Sequence, residues 1–255
     1  MAFLECRFFS TALARAVNMN VVMPQDKDKK SLKIVYLLHG LSDDASMWFR
    51  RTSVERYADM YNMMVVMPDG GRSFYTDAVA GDNYWTFISE ELPQIVKALF
   101  NVTVCRENSY AAGLSMGGYG ALKLALRCRD KFTAAAGLSS VTDLKHRFKA
   151  ADSASWVPEL RRIFGSTAQL APRKNDLFSL ADEAVASGEK LPAILSICGS
   201  EDFMIMDNRK FNKHMAKINY PDFHSYERPG VHNWAFWDTY IQDVFKFFDN
   251  GTLPE

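Results

Sequence analysis

Tyr110-Ala111-Ala112-Gly113-Leu114-Ser115-Met116-Gly117 is the stretch whose reading decides the fold. Its first five residues form a short apolar run, as a strand buried on both faces does. Gly113 to Gly117 has the pattern G-x-S-x-G, and residues 116–128 continue with helical periodicity. A five-residue pattern is weak by itself. Its place between a buried strand and a helix gives it weight, because that context puts the serine on a sharp turn at a helix N-terminus. The flanking glycines let strand and helix approach each other, and the helix aims free N–H groups and its positive dipole end at the serine.

The same rhythm extends in both directions. Other apolar runs lie at 34–38, 63–67, 132–138 and 193–198, and three of them end at His39-Gly40, Pro68-Asp69-Gly70-Gly71 and Gly199-Ser200. Two strands at 3–9 and 17–23 precede them, the second alternating apolar and polar residues, and a further strand begins at His224. Helical patterns occupy 52–61, 84–100, 206–218 and 234–248, and Thr52 with Glu55 has capping-box spacing. This alternation predicts an α/β fold: a mostly parallel sheet with helices on both faces. Residues 141–190 carry no strand-like run. They are expected to form a small helical insertion over the carboxyl edge of the sheet, where open α/β proteins bind ligands.

Of the 255 residues 48% are hydrophobic and 24% charged, which excludes a disordered chain or a coiled coil. Thirty basic residues balance thirty acidic ones, so neither nucleic acid nor a membrane surface is an expected partner. Cys6, Cys105, Cys128 and Cys198 are scattered, with no CxxC pair and no histidine cluster, so no metal site or disulfide framework is expected. The first residues, Met-Ala-Phe-Leu-Glu-Cys-Arg, lack the pattern of a secretory signal, and the cytoplasm is the expected compartment. A homo-oligomer is left open.

A serine nucleophile needs a base, and the base needs an orienting carboxylate. Of five histidines, His232 alone lies in a loop between the last strand and the last helix. His39 reads as a brace for its loop. The acid is expected after the run at 193–198, where Asp202 is favoured and Glu201 and Asp207 are alternatives. Two backbone donors should hold the oxyanion: Met116 N–H, directly after the serine, and Leu41 N–H, in the loop after 34–38. Of the aromatic residues expected near the mouth, Tyr75, Trp85, Trp156 and Trp234 are taken as candidate substrate contacts.

The segments YLLHGLSDDASMW (36–48), SFYTDAVAGDNYWTFISEELP (73–93), AAGLSMGGYGALKLAL (111–126), CGSEDF (198–203) and GVHNWAFW (230–237) together resemble the esterase D branch of the α/β-hydrolases. That branch includes S-formylglutathione hydrolases and bacterial tributyrin-type acylesterases; RTSVERYA, FYTD and SEELP look closest to the latter. The likeness spans nearly the whole chain. It implies one α/β-hydrolase domain over 1–255 with a cap-like insertion at 141–190 and no cofactor. It also implies a serine carboxylesterase acting on small acyl esters, with Ser115, Asp202 and His232 as the triad and Leu41 and Met116 as the oxyanion hole. A formylglutathione thioesterase, an acetyl-xylan or feruloyl esterase, and an acyltransferase share this machinery and stay open.

Overall fold

The computed structural model describes residues 1–251, with side chains omitted at 151–153. Its eight strands are β1 (Ala2–Ser10), β2 (Arg15–Met23), β3 (Lys33–Leu38), β4 (Met63–Pro68), β5 (Ser109–Leu114), β6 (Ala134–Leu138), β7 (Ala193–Gly199) and β8 (Phe223–Arg228). They form one sheet in the order β1-β2-β4-β3-β5-β6-β7-β8. The β1–β2 and β2–β4 pairs are antiparallel and the others parallel. This is the α/β-hydrolase fold expected from the sequence.

The apolar runs are strands because both faces of the sheet are covered. In β3, Ile34, Tyr36 and Leu38 join one core while Val35 and Leu37 join the other; β4 splits likewise into Met64 and Val66 against Met63, Val65 and Met67. Each fully buried side chain of this size contributes about 1.5–3 kcal/mol. The edge strand β1 has only one covered face, so its burial alternates residue by residue.

Helices α1 (Met47–Arg51), α2 (Val54–Met60) and α10 (Trp234–Asn250) close one face. The other carries α3 (Tyr84–Thr86), α4 (Leu92–Phe100) and α5 (Met116–Arg127), then α6 (Leu144–Arg147), α7 (Val157–Phe164), α8 (Leu177–Ala186) and α9 (Ile205–Lys217). The single helix expected at 84–100 is α3, a π-helical turn (Phe87–Glu91) and α4 run together. Pro93 has no N–H to offer, and the Ser89 carbonyl accepts from Lys131 Nζ at 3.1 Å instead. The capping box expected from Thr52 and Glu55 does not form. Thr52 ends α1: its hydroxyl donates to the Trp48 carbonyl and accepts from Val54 N–H.

Between β6 and β7, residues 141–190 are helical and short-pieced, as expected, but only part of the segment stands over the sheet edge. The amphipathic α7 turns Leu160, Ile163 and Phe164 inward, and Phe164 packs edge-on against Phe74 and Tyr119 with centroids 5.6 and 6.1 Å away. Phe164 is core, while Trp156, just before α7, reaches the cavity described below.

The strand-to-helix turn depends on two close approaches. A Cβ on Gly117 would lie 2.2 Å from the Leu38 carbonyl oxygen, and one on Gly113 would lie 2.5 Å from the backbone of Gly117. Neither obstacle is a movable side chain. Gly117→Ala is therefore expected to lower unfolding stability by about 1–3 kcal/mol or more, measured by urea titration; a loss within error of zero would contradict this packing.

Candidate active site

Strands β3, β5, β6 and β7 end side by side, with Leu38 opposite Gly113, Leu114 opposite Leu138 and Leu138 opposite Ile197. The loops leaving these ends therefore meet. Ser115 follows β5 with φ 52° and ψ −114°, in the left-handed region that side chains with a Cβ rarely enter. Three backbone bonds hold it there. Its N–H donates to the Leu138 carbonyl at 2.9 Å, and its carbonyl accepts from Tyr119 N–H at 3.1 Å and Val141 N–H at 3.2 Å. Met116 is the first residue of α5, so its N–H has no acceptor within the helix.

Asp202 follows β7 and is buried. Its carboxylate faces His232 Nδ1 at 3.0 Å (Oδ1) and 2.8 Å (Oδ2), and Oδ1 also accepts from Met204 N–H at 2.8 Å. A carboxylate accepts, so Nδ1 carries the donated proton and Nε2 is left with its lone pair. The imidazole is packed by Phe203 at 4.6 Å and, edge-on, by Trp237 at 4.9 Å. Trp237 is itself tied to Ser139 Oγ through its indole N–H at 3.2 Å.

The two alternative acids are occupied elsewhere. Asp207 pairs with His146 Nδ1 at 2.6 Å and Arg147 Nε at 2.8 Å, and burial pushes its carboxyl above the usual range. Glu201 clasps the histidine loop: its carboxylate accepts from Gly230 N–H at 2.5 Å, and its own N–H donates to the Gly230 carbonyl at 3.1 Å. The Gly230 N–H and then the Ser200 hydroxyl, both donating to it, hold the Glu201 carboxyl below its ordinary range.

His39 is a brace. Its Nε2 accepts from Gly70 N–H at 2.8 Å, which leaves Nδ1 to donate to the Gly40 carbonyl at 2.7 Å. Gly40 N–H in turn donates to Asp43 at 3.2 Å, and burial raises the Asp43 carboxyl. This network sets the course of the backbone through Leu41.

Ser115, Leu41 and His232 open onto one cavity of about 420 Å³. Trp156, Phe203, Trp234 and Trp237 form its aromatic wall, and Asp43 and Arg72 lie at its polar side. Trp156 and Trp234 thus both line this cavity. Tyr75 does not reach the cavity. It is fully buried beneath the turn, donating its hydroxyl to the His39 carbonyl at 3.0 Å. Trp85 lies over the far half of α5, stacked under Arg127 at 3.9 Å, in a separate cleft with Thr76, Asp77, Arg173 and Asn175. Phe203 and Asp43 are not among the residues to which the sequence points. The signal for Phe203 was its place beside Asp202; nothing in the local pattern marked Asp43. Among the described residues, no group of three or more His, Cys, Asp and Glu could hold a metal ion, and no helix is long and apolar enough to cross a membrane.

Glu201→Ala should release the Gly230 amide, raising its hydrogen-exchange rate about tenfold or more while the amides of β7 keep their protection. Unchanged exchange at Gly230 would mean that the carboxylate does not hold the loop.

Residues 10–248 match the model of the Esterase family, described as "Putative esterase". A curated relative, the acetyl esterase of Caldicellulosiruptor saccharolyticus, is 29% identical over 97% of this chain and 98% of its own. Among solved structures, FphF, a fluorophosphonate-binding serine hydrolase of Staphylococcus aureus, is 32% identical with a TM-score of 0.88, covering 98% of both chains. The S-formylglutathione hydrolase FrmB of the same organism is 31% identical with a TM-score of 0.85, covering 98% of this chain and 99% of that one. With the matched model covering nearly its whole length, the chain belongs to the Esterase family and is a carboxylester hydrolase of the α/β-hydrolase fold.

Proposed function

We propose that the chain is a serine esterase that hydrolyses short-chain, uncharged acyl esters of the acetyl or tributyrin type through an acyl-enzyme on Ser115. The observation that carries this reading is the Asp202–His232 pair, which opens onto the same cavity as a serine held in a left-handed turn at a helix N-terminus. Ser115 Oγ bonds to the acyl carbon as its proton passes to His232 Nε2. The carbonyl electrons move onto oxygen, where the N–H groups of Leu41 and Met116 receive the charge; each such donor is worth about 10²–10³ in kcat. The tetrahedral species collapses, and the alcohol leaves with the proton from His232. Water then attacks the acyl-enzyme, giving its proton to His232, and the carboxylic acid departs as Ser115 is reprotonated. Asp202 keeps the Nδ1 proton throughout and stabilises the imidazolium.

An uncharged ester suits the cavity better than a glutathione thioester. Arg72 is the one arginine or lysine among the described residues lining the cavity, and Glu159 already pairs with it at 2.6 Å. The carboxylates of a glutathione tail would find no free cation there. The acetyl esterase relative supports the same choice.

Ser115→Ala should lower kcat for 4-nitrophenyl acetate on the order of 10³-fold or more with the fold retained, and a fluorophosphonate should label Ser115 once per chain. Normal turnover by the variant would overturn the mechanism, and faster hydrolysis of S-formylglutathione than of the acetate would overturn the substrate reading. Trp156→Ala should change the acetyl-to-octanoyl preference in kcat/KM by about 1–3 kcal/mol, the scale of an apolar pocket contact. An unchanged chain-length profile would remove the insertion from the acyl pocket.

A further inference from the structure

The insertion also touches Arg72, a residue of the cavity wall, through a charge. Glu159 sits in the first turn of α7, and its carboxylate grips Arg72 at two points: Arg72 Nε to Oε1 at 2.8 Å and Nη2 to Oε2 at 2.6 Å. The third guanidinium nitrogen, Nη1, donates to the Leu41 carbonyl at 3.3 Å. Every nitrogen of Arg72 therefore has an acceptor, although half of the side chain is exposed; Arg72 lines both this cavity and a neighbouring cleft that Glu159 also lines. Glu159 is the more enclosed partner, at 19%. Among the described residues lining the cavity, the other aspartate, glutamate, lysine or arginine is the acidic Asp43.

An arginine with a free edge is the side chain best shaped to hold a carboxylate by two parallel hydrogen bonds. Here the Nε–Nη2 edge of Arg72 is filled from within the protein, and its charge is balanced by that of Glu159. We propose that Glu159 is a specificity-determining residue: by occupying Arg72 it closes the cavity to carboxylate-bearing esters and leaves it to uncharged ones. The inference rests on the reading of the Ser115 cavity as the ester site and adds the reason for its charge selectivity. It also gives the insertion a second role at the mouth beside the apolar contact of Trp156.

Replacing Glu159 by glutamine removes one negative charge and leaves a single acceptor in place of two. Arg72 then presents one newly unpaired N–H and an uncompensated positive charge. The test compares three esters on the wild type and on Glu159→Gln. They are 4-nitrophenyl acetate, 4-nitrophenyl hemisuccinate (carboxylate on the acyl side) and 4-acetoxybenzoate (carboxylate on the leaving group). The kcat/KM of at least one anionic ester, taken relative to the acetate, should rise about tenfold in the variant. That gain should shrink as salt is raised to about 0.5 M, because a half-exposed charge is screened. The double variant Arg72→Gln/Glu159→Gln should lose the gain.

Ratios within twofold of the wild type for both anionic esters would overturn the proposal, as would an equal gain in the double variant. If the wild type fails to hydrolyse the acetate at all, the esterase reading falls and this inference with it. Acetate turnover with unchanged ratios would sink this inference alone.

Discussion

The contact between Gly117 and the end of β3 governs the rest of the site. With no side chain at 117, α5 starts so close to the Leu38 and His39 carbonyls that the chain leaving β5 must reverse within one residue. That residue is Ser115, and the reversal forces its positive φ. Such a conformation costs about 1–3 kcal/mol. The three backbone hydrogen bonds at Ser115, each worth about 0.5–1.5 kcal/mol net, are of the right size to offset it. The result places Ser115 on the cavity wall, directly before the first N–H of α5.

The candidate partners of Ser115 stand on loops whose own bonds are made without any substrate. Asp202 is fixed by Met204 N–H, the His232 loop by Glu201, and the Leu41 loop by His39 and Asp43. Several of these braces are polar groups taken out of water, which is tolerable only because each has a partner. Buried Lys123 shows the same economy farther down α5. It is enclosed by Trp85 and Tyr119 and donates to Thr76 Oγ1 at 2.7 Å and Asn175 Oδ1 at 3.0 Å, with burial pulling its amine well below the ordinary lysine range.

Much of this was legible in the amino-acid sequence because its signals are local. A strand covered on both faces must be continuously apolar, and a strand-turn-helix around a serine needs small residues at 113 and 117. The order serine, acid, histidine along the chain also follows from the topology. What was not legible depends on neighbours far away in sequence. Thr52 and Glu55 have the spacing of a cap, but the Trp48 carbonyl takes the threonine hydroxyl first. Tyr75 and Trp85 sit in the same aromatic-rich loop region. Only the packing of α5 decides that one lies under the serine turn and the other beside Arg127. An aromatic residue advertises burial, and burial in a core and burial at a ligand wall look alike in a single sequence.

Trp156 and Phe164 make the same point within one insertion. They are eight positions apart, and the first stands at the cavity while the second is wedged between Phe74 and Tyr119. The inner face of α7 is thus committed to the core, which fixes the helix in place. A fixed helix can hold Glu159 against Arg72 with two short bonds, where a mobile loop would lose most of an exposed ion pair to side-chain entropy and water. The buried face of the insertion gives rigidity, and rigidity lets the first turn of α7 hold Arg72 in place. On the proposed reading, chemistry and selectivity are carried by different parts of the chain: the strand ends and the turn at Ser115 position the reacting groups, and the segment between β6 and β7 shapes what can reach them.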